Sequence, residues 1–307
     1  MKMTATRPVT KTTKKKIDRS STVFYCVMVA LPLLQFLIFY VVVNFNSILM
    51  AFQEYNTLTF STTLSLSNFE GWFTKQTLPI LGVCLKNSMI YFGVTLLAIP
   101  ISLCISYYIY KKFHLSQFFK VISFIPSIIC ISALAIMYKT FVNYGMSSIF
   151  TTAPISLEYS EARQPMLIVF YLLVNFSGNL LIYINAMSQA SPSVIEAAKI
   201  DGASEFRIFI HVIIPQIWGT IVSLLIIFMA GIVTNQAFLF TFFGINAPAE
   251  LQTLGYFIFR NIQEGATPNV EASYYQTSAL GIMLTLVLAP ITILVRNLML
   301  KFGPRED

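Results

Sequence analysis

Side chains able to do chemistry are scarce in this sequence, and most of them are uncharged. Two polar clusters lie inside long apolar runs: Asn175, Ser177, Asn179 and Asn185, then Thr234, Asn235 and Gln236. Amides and hydroxyls in such runs can hydrogen-bond a neutral polar solute, or they can bond neighbouring helices to each other. Asn175, Asn179, Asn235 and Gln236 are the candidates for a solute path. Groups for acid–base, nucleophilic or metal chemistry are not gathered anywhere. His114 and His211 are far apart, and Cys26, Cys84, Cys104 and Cys130 show no CxxC spacing. The cysteines read as small buried hydrophobes. No catalytic residue, metal site or cofactor is expected, and no GxxxxGK[ST] pattern provides for ATP.

A second segment carries more design than its length requires. From Ser191 to Pro215 the chain reads SPSVIEAAKIDGASEFRIFIHVIIP. Ser191 before Pro192 is the arrangement of an N-cap with proline at the first helical position. Gly202 stops that helix by accepting a left-handed conformation. Ser204 can cap a second helix, in which Phe206, Phe209, Ile210 and Ile213 recur at helical spacing and which Pro215 ends. Two short capped helices admit three readings. They can rest on lipid headgroups, connect neighbouring spans, or present a docking helix to a partner's groove.

The elements that must position these residues are transmembrane helices. Of 307 residues 56% are hydrophobic and 11% charged, against roughly 25% charged in soluble domains. So few charges cannot cover a water-exposed surface, and lipid is the expected solvent. Six apolar stretches are long enough to cross it: near Val23–Val43, Ser88–Tyr110, Val121–Phe141, Pro165–Met187, Trp218–Leu239 and Gln276–Val295. They are continuous rather than alternating, which favours helices over a barrel. The first is too long for a signal-peptide core, and no small-x-small cleavage pattern follows it, so it reads as a retained anchor. Apart from Lys139 near one span end, the spans lack ionisable residues, which argues against proton coupling. Prolines 32, 100, 126 and 290 fall inside spans, where each tends to kink its helix.

Charge sets the orientation. The net charge is +7, but seven of the twenty Lys and Arg crowd a Thr-rich arm before residue 20, which is a topology signal rather than a nucleic-acid surface. With the N-terminus cytoplasmic, that arm, Lys111, Lys112, Lys120, Lys199, Arg207, Arg296, Lys301 and Arg305 all fall inside. Only Lys75, Lys86, Lys139, Arg163 and Arg260 fall outside. The positive-inside rule then places both termini in the cytoplasm. The expected organisation is a basic arm over 1–20, a transmembrane domain over 21–300 with a cytoplasmic loop at 188–216, and a short tail over 301–307.

The loop resembles the EAA loop of binding-protein-dependent ABC importer permeases, E-A-A-x3-G-x9-I-x-L-P. Glu196, Ala197, Ala198 and Gly202 match in place. Val212-Ile213-Ile214-Pro215 supplies the end, with Val212 for Ile and Ile214 for Leu. Ile200-Asp201-Gly202-Ala203-Ser204 is similar to the "IDGAS" of the carbohydrate-uptake branch. Asn87, Phe124-Ile125-Pro126 and Gly178 resemble further family positions. Phe242-Phe243-Gly244 stands where the family usually has "TGGGP", keeping one glycine.

The resemblance implies an all-α integral membrane fold of about six helices, of the ABC importer type I permease kind, in the bacterial cytoplasmic membrane. It also implies a second permease subunit, nucleotide-binding ATPase subunits and an extracellular solute-binding protein. Glu196, Ala197, Ala198, Gly202 and Pro215 would form the coupling element, and a sugar or oligosaccharide is the expected solute. The rivals are a peptide or amino-acid permease and a secondary transporter working alone.

Overall fold

The computed structural model describes residues 19–56, 61–146, 157, 162–265 and 272–304. Most of the basic arm and Arg305 lie outside the described residues. The chain divides into two compact units, Met1–Leu49 and Met50–Asp307. The first is one helical run: α1 (Arg19–Gln35), a wider-turned π stretch (Phe36–Val42) and most of α2 (Val43–Ala51). The helix continues past Asn44, Asn46 and Ser47 to Ala51, so the first span runs further than the expected Val43.

The second unit opens with an antiparallel pair, β1 (Gln53–Asn56) and β2 (Ser61–Leu64), with Gln53 opposite Leu64. Asn68 on the short helix α3 (Ser67–Glu70) donates to the Gln53 carbonyl at 2.7 Å. The spine follows, α4 (Thr77–Tyr110) packed along α7 (Arg163–Ser188). With 34 residues α4 is about 51 Å long and so exceeds the hydrocarbon thickness.

The buried residues of α4 recur every three or four positions, Cys84, Asn87, Ser88, Tyr91, Thr95, Ala98, Ser102 and Ser106. That stripe has small residues where α7 approaches most closely, and Ser106 Oγ reaches the Leu180 carbonyl at 3.4 Å. Of the cysteines only Cys84 is buried; Cys26, Cys104 and Cys130 are exposed, which corrects the expectation that all four pack inside.

Among the described residues five helices are long and apolar enough to cross a membrane, and the segment expected as a further span is a bent helix pair. Where one helix over Val121–Phe141 was expected, α5 (Ser116–Ile128) and α6 (Ile131–Thr140) meet at 101°. Pro126 cannot donate to the preceding turn, and Ile129 and Cys130 are extended, with ψ of 138° and 131°. Hydropathy averages composition over a window and carries no information about direction.

After α7 come α8 (Pro192–Ile200), α9 (Glu205–Ile208), a π stretch (Phe209–Ile213) and α10 (Ile214–Gln216). Pro215 does not end this run; the interruption falls at Ile217, with φ −101° and ψ 10°. The π stretch just before it widens the turn next to the missing proline donor. Next are α11 (Trp218–Thr234), α12 (Leu239–Phe243), α13 (Leu254–Gly265) and α14 (Ala272–Phe302). The fifth span was expected to continue to Leu239. Its helix stops at Thr234, so Asn235 and Gln236 sit in a break rather than on a helix face.

Two apolar cores hold this unit. One gathers Leu103, Tyr107, Tyr183, Ile195, Ile208 and Phe209 at the loop end. The other gathers Tyr91, Phe170, Tyr171, Leu239, Phe242 and Tyr256 at the far end.

Candidate functional site

The loop presents one helix to the outside by fixing everything around it. Ser191 is extended, and its N–H is held by the Gln216 side chain at 2.8 Å, which clasps the two ends of the loop. The Ser191 hydroxyl pairs with that of Ser193 instead of capping α8. The other end of α8 follows the sequence expectation. Gly202 adopts φ +75°, Ala203 N–H bonds the Ala198 carbonyl and Gly202 N–H that of Lys199, both at 3.0 Å. Those bonds form a Schellman stop. Ser204 then caps α9 by accepting from the Arg207 N–H.

Of α8, Ile195 is buried and Ala198 half-buried, while Glu196 and Ala197 are exposed. Val194, Ile200 and Phe206 expose 46%, 87% and 73% of their surface.

Glu205 was not singled out by sequence reading, yet it is the anchor of the loop. Tyr107 OH donates to its Oε2 at 2.6 Å, Lys111 Nζ lies 3.0 Å from the same oxygen, and Lys199 Nζ 3.9 Å from Oε1. The Tyr107 hydroxyl foremost, and then the two ammonium groups, hold the Glu205 carboxyl below the usual carboxylate range against the opposing effect of burial.

At mid-span lies a cavity of about 350 Å³ between α4, α7, α11 and the start of α13. Its polar lining is Ser88, Tyr91, Thr95, Tyr171, Asn175, Thr234, Asn235 and Thr253, and none of its lining side chains among the described residues is charged. Asn235 Nδ2 donates to Tyr171 OH at 2.6 Å, and Thr95 donates to the Tyr91 carbonyl at 2.9 Å. The Thr95 proton being committed, the 3.0 Å Tyr171–Thr95 contact runs from Tyr171 to Thr95, which makes a directed chain. Tyr91 and Tyr171 meet edge to face with centroids 4.9 Å apart.

The break beside the cavity is over-determined. Ala237 N–H bonds Asn235 Oδ1 and Thr253 Oγ1 bonds the Asn235 carbonyl, each at 2.8 Å. Ala237 and Phe238 are left-handed, with φ 49° and 60°. Such residues cost about 1–3 kcal/mol each and persist only where the surroundings impose them. Gly255 closes the other side: a Cβ there would stand 2.5 Å from the Thr234 carbonyl carbon.

Of the four candidates for a solute path, Asn175 and Asn235 line this cavity. Asn179, bonded to the Asn175 carbonyl at 3.1 Å, and Gln236 are not among its lining residues. Sequence reading missed Tyr91, Thr95 and Tyr171. Their only signal was the four-residue spacing of Tyr91 with Thr95 and of Tyr171 with Asn175.

A probable ABC transporter permease protein of Mycoplasma genitalium is 26% identical over 247 residues, which are 74% of this chain and 72% of the relative. The polygalacturonan/rhamnogalacturonan transport system permease protein YteP of Bacillus subtilis is 26% identical over 217 residues, 66% of each chain. Among solved structures, a bacterial ABC transporter involved in import of the acidic polysaccharide alginate superposes with a TM-score of 0.74 at 20% identity. That match covers 92% of this chain and 97% of the other. The alginate transporter in complex with an alginate pentasaccharide-bound periplasmic protein gives 0.72 at 19%, over 92% and 94%. The family of binding-protein-dependent transport system inner membrane components matches residues 98–307, from mid-α4 past α14. On that span the chain belongs to this family: it is a multi-pass permease subunit of an ABC importer, a transporter subunit rather than an enzyme.

Proposed function

We propose that this permease imports a neutral sugar or oligosaccharide, with α8 as its docking element on an ATPase. The uncharged lining of the mid-span cavity carries the solute assignment. Amides and hydroxyls beside tyrosine rings suit sugar hydroxyls and ring faces, whereas a charged peptide or amino acid would need an opposite charge in a low-dielectric site. YteP, named for polygalacturonan and rhamnogalacturonan transport, supports a carbohydrate solute; its named solutes are acidic, so the neutral charge rests on the lining alone. Asn175 and Asn235 bind solute in the cavity, and Asn179 and Gln236 extend the path beyond it.

The partners are a second permease, two ATPase subunits and an external solute-binding protein. Glu196, Ala197 and Ala198 meet the ATPase; Gly202 and Pro215 set the ends of the segment. Both termini are cytoplasmic, with an arm over 1–20 and a tail over 301–307. An impermeant maleimide on intact cells should label a cysteine placed at Thr63 and spare one at Thr10.

The central test is uptake of labelled neutral oligosaccharides against labelled peptides by cells expressing the importer. Oligosaccharide uptake whose KM rises about tenfold in Asn175→Ala/Asn235→Ala, the loss of one or two hydrogen bonds, is the expected result. Peptide uptake would overturn the solute class. Glu196→Lys should abolish co-purification of the ATPase while the permease still inserts.

A further inference from the structure

The docking helix lies at one end of the unit and the cavity at mid-span, and motion at α8 has to reach the cavity for transport to be driven. α4 joins them. Tyr91 and Thr95 of α4 line the cavity, and Tyr107 and Lys111 of the same helix hold the loop. Thr95 and Tyr107 stand about 18 Å apart along the axis. At the loop end of α4 the contacts converge on one side chain. Glu205 takes the Tyr107 hydroxyl at 2.6 Å and the Lys111 ammonium at 3.0 Å through one oxygen, while the other faces Lys199, which belongs to α8.

The Glu205 backbone takes part too, since Tyr107 OH lies 3.3 Å from its carbonyl. Lys111 also lies 5.5 Å from the Tyr107 ring centre, and that ring packs on Phe209 at 4.7 Å. Beneath this polar knot Ile195 of α8 is buried with Leu103 and Tyr107 of α4. The apolar contact keeps the two helices together, but aliphatic surfaces slide. A carboxylate held by a hydroxyl and an ammonium has direction, and such charge-assisted bonds resist displacement.

We propose that Glu205 is the positioning residue that makes α8 and the loop end of α4 move as one body, so that displacement of the docking helix is delivered to the cavity. This rests on the reading of α8 as the docking element. Glu205 lies outside the E-A-A pattern and has its own job: Glu196 faces outward toward the ATPase, and Glu205 faces inward toward the span.

The test uses the complete importer in nanodiscs, with Cys26, Cys104 and Cys130 replaced by Ser and nitroxides at Ser193→Cys on α8 and Leu97→Cys on α4. Both positions lie away from the Glu205 contacts, and Leu97 is 69% exposed. The nitroxide distance should stay narrow and unchanged on adding ATP and vanadate. Glu205→Ala should broaden it, leave ATPase co-purification intact, and cut transport per ATP hydrolysed by about three- to tenfold, as a partly exposed charge-assisted contact allows. Charge exchange, Glu205→Lys with Lys111→Glu, should restore part of the narrow distribution where either change alone does not.

A Glu205→Ala importer with unchanged distances and unchanged transport per ATP overturns the proposal. So does one that no longer holds its ATPase, because Glu205 would then serve only assembly. Glu196→Lys and Gly202→Val separate the two readings. If they abolish assembly while Glu205→Ala is silent, docking stands and the strut falls. If they assemble and transport normally, docking itself falls.

Discussion

The loop at 191–217 and the break at 235–238 both interrupt helices, by opposite means. The loop turns on a glycine: Gly202 is left-handed with open space where a Cβ would go. The break turns on residues that resist the conformation, Ala237 and Phe238, and is forced by side chains bonding backbone. The glycine that matters there is Gly255, which has ordinary room in φ and none in space. The Gly202 stop needs only the local bonds to the Ala198 and Lys199 carbonyls. A cavity wall must keep a shape its own residues disfavour, so it borrows constraint from α4, α7 and α13.

The sharpest way to break this contrast is to put the same methyl group at both glycines. Gly255→Ala drives a Cβ into the Thr234 carbonyl and should destabilise the chain by about 3 kcal/mol, the upper end for overpacking. Gly202→Ala meets only backbone strain of about 1–2 kcal/mol, confined to the loop. Thermal unfolding in detergent should show a large drop for the first and little for the second. Equal drops would mean the break is not held by that close approach.

A middle-sized effect is expected at Asn235. Asn235→Ala strands the Ala237 N–H and removes the donor to Tyr171, at a cost of about 2 kcal/mol. Asn235→Asp keeps the acceptor for Ala237 but places an ionisable carboxyl in the cavity, so it should recover part of that stability only at a pH low enough to protonate it.

The smallest effect is one of pH. The Glu205 carboxyl is held low in the folded chain, so its contribution is complete above its unfolded value of about 4.3. It is lost as the pH falls through the lower, folded value. Since Glu205 is 44% exposed, the contribution stays below about 1 kcal/mol. A nitroxide at Ser193 should keep constant mobility from pH 8 to 5 and loosen below about pH 4, and Glu205→Gln should remove that transition.

The two regions were unequally legible in the sequence. The stop of α8 and the cap of α9 are local, and Gly202 and Ser204 announce them within a few residues, whereas the Ser191 cap expected for α8 does not form. The break at Asn235 is tertiary: no nearby residue predicts left-handed Ala237 and Phe238, because their cause lies at Thr253 and Gly255. Likewise the 101° bend after Pro126 was readable as a kink and not as a reversal. Asn175 and Asn235 were found because amides in apolar runs are conspicuous. Tyr91, Tyr171 and Glu205 were not, because tyrosine in a membrane helix and glutamate in a cytoplasmic loop are unremarkable until a partner from another helix arrives.

At the start of α11 the Trp218 indole donates to the Met299 carbonyl at 3.1 Å, and a Cβ on Gly303 would collide with that ring. The two partners are 81 residues apart in the chain. At about 5–20 residues per second a ribosome needs about 4–16 s to travel from one to the other. The fifth span is complete at Thr234, 65 residues before Met299, so for about 3–13 s it exists without the residue that fixes its first turn. The loop before it is already held by Tyr107, Lys111 and Gln216, and it gains the fixed start of α11 only after the Met299 end of α14 has been made.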